Sequence, residues 1–91
     1  MDALLNRLKS ADPEVHHDIS ASVLGNGDYR NDYIIQGRLQ DAIQARGWIY
    51  TIKNYAKPFA MIDRLDASDL IDRYGDSPAE ALLSCYLEAI G

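Results

Sequence analysis

The sequence predicts an α+β fold, a small α/β/α sandwich in which an antiparallel β-hairpin lies between N-terminal helices and a C-terminal helix. Two observations lead to this class. The run 47–53 is apolar or β-branched at nearly every position, which is typical of a strand that is covered on both faces. Helical patterns precede and follow this run, and they supply the layers that such a hairpin requires. The same layers leave room for one added strand.

The predicted hairpin joins this first strand to a second apolar run at 58–65 through a four-residue loop. Because side chains alternate along a strand, Trp48, Tyr50 and Ile52 point to one side of the first strand. Pro58 cannot donate a ladder hydrogen bond, so we expect it at the start of the second strand or on an edge. A two-stranded hairpin is barely stable alone, so the rest of the chain is expected to cover it.

Three helices are predicted before the hairpin. The first spans 2–10, where leucines recur at helical spacing. The second begins at Asp12, a good N-cap, followed by Pro13 in the first helical position. The third spans about 31–46, and Gly47 ends it and releases the chain into the first strand.

The segment 66–76, which follows the hairpin, has the least regular pattern in the chain. Asp66 or Ser68 can cap a short helix there. The preferred interpretation is an irregular connection with a single helical turn. The alternative is a third strand that includes residues 70–71.

The last helix has the clearest local pattern. Ser77 and Glu80 form a capping box, and Pro78 occupies the first helical position. Its apolar face consists of Leu82, Leu83, Tyr86, Leu87 and Ile90.

Length and composition describe one domain of 91 residues, with 47% hydrophobic and 25% charged residues, as in ordinary globular proteins. No apolar run approaches the ~20 residues of a membrane span. A single cysteine allows no internal disulfide, which suits a reducing compartment. We therefore expect a protein of the cytoplasm with no membrane partner.

The residue types that often act in catalysis do not form a catalytic or metal-binding motif in this sequence. His16 and His17 are adjacent, so a helix turns them about 100° apart, whereas zinc ligands on helices prefer spacings of three or four. Cys85 lies in the apolar pattern of the last helix and is expected to be buried and inert. Residues 25–28 are turn residues and are too short for a phosphate loop. The sequence therefore predicts no enzyme, no cofactor and no metal site.

Charge is divided unevenly along the chain. Residues 1–57 hold seven acids and seven bases, whereas residues 58–91 hold seven acids and two bases, which accounts for the whole net charge of −5. A patch for a basic partner is one interpretation. The other is a solvated loop and strand edge, with Asp63 discouraging edge pairing. The candidate partner-binding residues are Asp63, Asp66, Asp69, Asp72 and Asp76.

The order of these patterns is similar to that of the phage ABA sandwich domain, a family of short phage and prophage proteins. The matching stretches are a leucine-rich helix at 4–8, a second helix at 18–25, a helix that begins near a tyrosine and ends in Gly-Trp at 33–48, and Pro-Ala-x-Ala-Leu-x-x-Cys at 78–85. The segment 66–76 departs from the family pattern because it is longer and more acidic. The resemblance implies an αβα fold and a phage or prophage source, and it carries over no catalytic residue.

These observations favour a small phage accessory protein that acts by binding a host protein. A specific form of this hypothesis is an inhibitor of host defence, similar to an anti-CRISPR, whose acidic surface meets a basic nucleic-acid-binding groove. One alternative is a nucleic-acid-binding regulator, although a sequence pI near 4.7 argues against direct binding of nucleic acid. Another is a homo-oligomeric structural or assembly protein that dimerises through a free strand edge. The regulator hypothesis would use Arg30, Arg38, Arg46, Lys53 and Lys57.

Overall fold

The protein combines four helices with a three-stranded antiparallel sheet, which confirms the predicted α+β class. The computed structural model describes residues 1–25, 28, 30–54, 56–66 and 69–91. In chain order the elements are α1 (Asp2–Ala11), α2 (Pro13–Ser22), α3 (Asn31–Ala45), β1 (Ile49–Lys53), β2 (Phe59–Asp63), β3 (Ile71–Tyr74) and α4 (Pro78–Ile90). The residues predicted as turn, loop or cap that lie outside the described ranges are Asn26, Gly27, Tyr55 and Ser68.

The predicted starts of two helices are confirmed by side-chain caps. The Asp12 carboxylate accepts a hydrogen bond from the Val15 backbone N–H at 3.3 Å and begins α2. The Ser77 hydroxyl accepts one from the Glu80 N–H at 3.1 Å and begins α4. Each cap satisfies an N–H group that the helix itself leaves without a partner.

Gly47 turns the chain out of α3 and into β1, as predicted. Its φ of 77° lies in the left-handed region, where glycine has no Cβ to clash. The Gly47 N–H donates to the Gln44 carbonyl at 2.9 Å, and the Trp48 N–H donates to the Ile43 carbonyl at 3.1 Å. These two bonds close the C-terminus of α3 and fix the direction in which β1 leaves it.

The sheet has the strand order β1-β2-β3, so β2 is central. The preferred interpretation of 66–76 as a connection with a helical turn is wrong, and the third-strand alternative is correct. Ile71 of β3 lies opposite Ile62 of β2, and both are buried. Tertiary pairing with β2 therefore decides the conformation of a segment whose local pattern is weak. Asp63 lies on the central strand, so its predicted role in blocking an edge is also wrong.

The helix α4, rather than the hairpin, is the central element of the fold. One side of α4 packs on β2 and β3, and the other packs on α1 and α3. In turn α2 packs on α1 and α3, and across the described residues neither α1 nor α2 reaches the strands. Helix α4 needs this cover because its buried residues lie on every side except a polar strip of Glu80, Ser84 and Glu88. They are Ala79, Ala81, Leu82, Leu83, Cys85, Tyr86, Leu87 and Ala89.

The helices consequently lie on one face of the sheet only, and the predicted cover on both faces of the hairpin is wrong. Exposure alternates along β1. Trp48, Tyr50 and Ile52 are half-buried and pack against the core, whereas Ile49 on the other face is 54% exposed. The helices that could have formed a second layer cover α4 instead. This leaves one face of the sheet open to solvent.

Candidate functional site

The open side of the sheet is the candidate functional site, and we call it the outer sheet face. It comprises the side chains of Ile49, Thr51 and Lys53 from β1, Phe59, Met61 and Asp63 from β2, and Asp72 and Tyr74 from β3. The strand register places these residues side by side, because directly paired residues point to the same face. Three rows result: Ile49 beside Asp63, then Thr51, Met61 and Asp72, then Lys53, Phe59 and Tyr74.

Apolar side chains occupy the centre and one end of the outer sheet face. Met61 is at its centre, and the Phe59 and Tyr74 rings lie 5.1 Å apart between centroids at an interplanar angle of 53°. Tyr74 is 59% exposed. Aromatic and thioether groups of this kind are enriched in protein interfaces.

Exposed apolar residues concentrate on this side of the molecule. Across the described ranges, six large hydrophobic residues are exposed to solvent, and four of them lie on the outer sheet face or in its β2–β3 connection. These four are Ile49, Leu65, Leu70 and Tyr74. Exposed apolar residues that gather on one side of a protein mark interaction sites more often than scattered single residues do.

Charge is polarised along the strands of the outer sheet face. Lys53 ends β1 in the same row as Phe59 and Tyr74, and the Lys57 ammonium lies 5.4 Å above the Tyr74 ring. Asp63 lies in the opposite row. The face therefore has a basic end and an acidic end, and Met61 lies in the central row between them, beside Asp72.

The five predicted partner-binding carboxylates do not form a single cluster. Asp63 is on the outer sheet face, and its carboxylate accepts a hydrogen bond from the Leu65 N–H at 2.9 Å. Asp66 and Asp69 lie in the exposed connection that follows β2, and Asp72 is exposed on β3. Asp76 follows the other end of β3. The structure thus brings four of the five to the acidic half of the sheet and places Asp76 elsewhere.

The three-residue spacing of these carboxylates does not give them a common face. That spacing aligns side chains on a helix, but this segment is strand, connection and strand. One carboxylate, Asp69, pairs with the Arg64 guanidinium at 3.6 Å. Arg64 also donates to the Ala89 carbonyl at 3.2 Å, which ties the β2–β3 connection to the end of α4.

The basic residues of the nucleic-acid hypothesis do not gather on one surface. Arg30 and Arg46 flank α3, sixteen residues apart, which is about 24 Å along a helix. Arg38 lies between them and pairs with Asp41 at 3.7 Å, and Arg30 pairs with Asp28 at 3.0 Å. Each of these arginines is partly neutralised by a neighbouring carboxylate.

A second polar constellation, which the sequence did not predict, joins Asp12, Arg46 and Tyr86. The buried Tyr86 hydroxyl donates to the Asp12 carboxylate at 2.6 Å and accepts from Arg46 Nε at 3.2 Å. The Arg46 guanidinium lies 3.5 Å from Asp12 and 5.1 Å from the centroid of the Trp48 ring. These residues are distant in sequence, so no local motif could have indicated the cluster.

The ionisation of this cluster follows from its burial. Desolvation raises the pKa of Tyr86 to about 12, and the hydrogen bond to Asp12 acts in the same direction. Hydrogen bonding to the Tyr86 oxygen raises the pKa of Arg46 above its ordinary value. At neutral pH the phenol is therefore protonated and can act as the donor to Asp12.

A cleft of about 440 Å³ lies beside the cluster, between α2 and α3, and carboxylates and arginines line it. Arg38 there already pairs with Asp41 and donates to the Ser22 hydroxyl at 3.1 Å. Arg46 is likewise held by Asp12 and Tyr86. The cationic groups of this cleft hold the helices together, which indicates a structural role.

The Cys85 thiol is packed in the core. Cys85 is buried, as predicted, and its thiol contacts the Ala60 carbonyl at 3.1 Å and the Ile71 carbonyl at 3.4 Å. Burial raises the pKa of this thiol to about 11. Within the described ranges, no group of three or more His, Cys, Asp or Glu side chains is arranged to hold a metal ion.

Comparisons with known proteins add no family or structural neighbour. No protein-family model, curated protein or solved structure gives a significant match to the chain, so the resemblance to the phage ABA sandwich family stays a prediction. Across the part of the chain that the structure describes, no helix has the length and apolarity needed to cross a membrane.

Proposed function

We propose that this protein is a non-enzymatic protein-binding module and that the outer sheet face is its binding surface. The observation that carries the proposal is the uncovered apolar centre of that face, next to an acidic end. Helices cover the inner side of the sheet, but Ile49 and Tyr74 on the outer side are more than half exposed. An apolar patch rimmed by charge suits a protein partner because it combines buried contact with a polar rim.

The negative charge of the acidic end favours a protein partner with a basic surface. Asp63, Asp66, Asp69 and Asp72 surround the β2–β3 end of the sheet, and Arg64 offsets part of their charge through Asp69. A partner with a basic rim beside an apolar patch would be steered toward this end. Nucleic acid, which is itself anionic, would be repelled there.

A more specific form of the proposal concerns the biological setting. The protein would be a phage or prophage accessory factor in the cytoplasm of the bacterial host. It would inhibit a host defence protein, in the manner of an anti-CRISPR, by occupying a basic nucleic-acid-binding groove. Two features support this form: the net charge of −5 and the resemblance to phage ABA sandwich proteins.

The test compares two variants with equal changes in charge. Each replaces four acids and raises the net charge by four, from −5 to −1; all of these acids are exposed except Asp63, which is half-buried. The first variant neutralises the acidic end through Asp63→Asn, Asp66→Asn, Asp69→Asn and Asp72→Asn. The control neutralises exposed acids of the helices through Asp2→Asn, Glu14→Gln, Asp18→Asn and Asp32→Asn.

The wild-type protein would be used to capture a partner from host lysate, and the partner would be identified by mass spectrometry, purified and titrated by calorimetry. We expect the acidic-end variant to bind about tenfold more weakly or worse, a loss of roughly 1.4 kcal/mol. The control should bind as wild type, and added salt should weaken the wild-type complex. Equal binding by both variants, with no effect of salt, would contradict the proposal.

A further inference from the structure

We propose that the outer sheet face binds a second copy of this chain, so that two sheets pack face to face in a two-fold symmetric dimer. This inference rests on the proposed function, because it names the partner of the same surface. The partner class argued above has a basic rim next to an apolar patch. The chain itself carries such a rim, with Lys53 and Lys57 at the end of the outer sheet face opposite Asp63.

Symmetry limits how two copies can meet. In a two-fold dimer the same patch serves both subunits, and for face-to-face sheets the axis lies between the sheets. An axis parallel to the strands would place Asp63 near the second copy's Asp63, which is repulsive. An axis perpendicular to the strands reverses the second copy and places its basic end over the acidic end of the first. Each arrangement brings one pair of like carboxylates together, but only the reversed one also pairs the basic ends with the acidic ends, so charge favours the reversed arrangement.

The strand register then gives the contacts. With the axis passing beside Met61 at the centre of the face, the two Met61 side chains meet. Lys53 of one copy lies over Ile49 of the other, and Ile49 is the cross-strand partner of Asp63. One strand spacing, about 4.8 Å, separates those partners, so the Lys53 ammonium reaches the second copy's Asp63. Two such ion pairs form, one on each side of the axis.

The same arrangement identifies one unfavourable contact. Asp72 lies in the central row of the face, opposite Met61 on β2. Reversal of the second copy leaves this row in place, so Asp72 of one copy lies near Asp72 of the other. Removing this carboxylate should therefore strengthen the dimer, whereas removing Asp63 should weaken it. A basic foreign partner would respond to both substitutions in the same way, with weaker binding.

The area of the face indicates a weak dimer. Three strands of about five residues span roughly 14 by 17 Å. A standard interface buries about 800 Å² on each partner, more than this sheet alone provides. The exposed Leu65 and Leu70 extend the apolar surface beyond the strands. We expect dissociation constants in the range from about 10 μM to 1 mM.

The test is sedimentation equilibrium of the purified full chain at concentrations up to about 1 mM, the range in which weak interfaces populate a dimer. We expect a monomer–dimer equilibrium for the wild-type protein, a Kd about tenfold weaker or worse for Met61→Glu, and a tighter Kd for Asp72→Asn. Circular dichroism checks that each variant is folded. Met61→Ser provides a milder change if Met61→Glu fails to fold.

A charge exchange distinguishes a specific dimer from nonspecific association. Lys53→Glu and Asp63→Lys should each abolish the dimer, because each places like charges together. Mixed in equal amounts, these two variants should form a heterodimer, since both contacts between positions 53 and 63 then join opposite charges. The matched control is the pair Lys9→Glu and Asp18→Lys, two exposed positions on α1 and α2 that should leave the dimer unchanged.

Each outcome decides between the two proposals. A wild-type monomer at about 1 mM, a dimer indifferent to Met61→Glu, or no heterodimer on mixing would overturn the inference. If the chain is monomeric but a captured basic protein loses affinity in the acidic-end variant, the binding module survives and its partner is a foreign protein. If neither self-association nor capture depends on the outer sheet face, both proposals fail.

Discussion

The phenolic oxygen of Tyr86 lies 2.6 Å from a carboxylate oxygen of Asp12, although 74 residues separate them in the chain. Asp12 also caps α2, and Arg46, just beyond the end of α3, bonds to the same phenol. One hydroxyl group thus joins the junction of α1 and α2 to the end of α3 and the middle of α4. The contact fixes how the N-terminal helices sit on the central helix.

The first prediction concerns this hydroxyl. Tyr86→Phe keeps the buried ring but removes a donor to a charged acceptor, so we expect the free energy of unfolding to fall by about 1–3 kcal/mol. Urea denaturation measures the change. Tyr33→Phe is the control, because Tyr33 is 74% exposed and its loss should change stability by less than about 0.5 kcal/mol. Equal stability of the Tyr86→Phe variant and wild type would show that the hydrogen bond contributes nothing net.

The second prediction concerns alkaline pH. The pKa of Tyr86 is about 12 in the folded protein, against an ordinary value of 10.0. Between these values the unfolded chain loses a proton that the folded protein retains, so stability falls as pH rises. The contribution is complete below pH 10 and is lost as pH approaches 12.

Ultraviolet difference absorbance should show a tyrosine titration near pH 12 that is absent from Tyr86→Phe. Urea midpoints measured across the same pH interval should fall more steeply in wild type than in Tyr86→Phe, which lacks the group. Parallel pH profiles for the two proteins would argue that the Tyr86 hydroxyl is solvated.

The third prediction concerns the thiol of Cys85. The side chain is buried against the Ala60 and Ile71 carbonyls, and its pKa is raised to about 11. Because the thiolate is the reactive form, alkylation of the folded protein at neutral pH should be slower than that of the urea-unfolded chain by a factor of about 10³ or more. Mass spectrometry follows the labelling. Rapid labelling of the folded protein would contradict the burial of Cys85.

The fourth prediction compares two glycines. A Cβ on Gly75 would lie 2.6 Å from the Ala81 backbone nitrogen, so Gly75→Ala pushes β3 away from α4 and should cost about 1–3 kcal/mol. A Cβ on Gly37, inside α3, meets no described atom within 4 Å. Gly37→Ala should therefore stabilise the protein by about 0.5–1 kcal/mol.

Thermal or urea denaturation measures both glycine variants under the same conditions. We expect Gly75→Ala to lower the free energy of unfolding and Gly37→Ala to raise it. An added Cβ meets the backbone of α4 at Gly75 but open space at Gly37. A neutral Gly75→Ala variant would mean that the turn before α4 can move without cost.

Local patterns predicted the features that depend on neighbours three or four residues away. Asp12 and Ser77 cap helices because their side chains reach N–H groups in the next turn. Gly47 ends α3 because it tolerates a positive φ. The strand β3 could not be predicted in this way, since Ile71 is held by Ile62 of another strand and by burial under α4.

The candidate site was predicted in part. The acidic residues from Asp63 to Asp72 were identified from charge alone, and they do lie around one end of the sheet. Their separation from Asp76, and the apolar centre made by Met61 and Tyr74, depend on the register between strands. Register brings together residues that are distant in sequence, and no periodicity within one strand indicates it.

The sequence by itself determined where most helices and strands begin and end, because caps, turns and alternation depend on adjacent residues. Tertiary structure alone decided which surface stays open. The run 47–53 and the helix α4 are both apolar enough to need cover on two sides. The N-terminal helices are too few to cover both, and they pack around α4. The helices α1 and α3 pack on α4, whose apolar side chains are thereby removed from water, and the outer sheet face remains exposed.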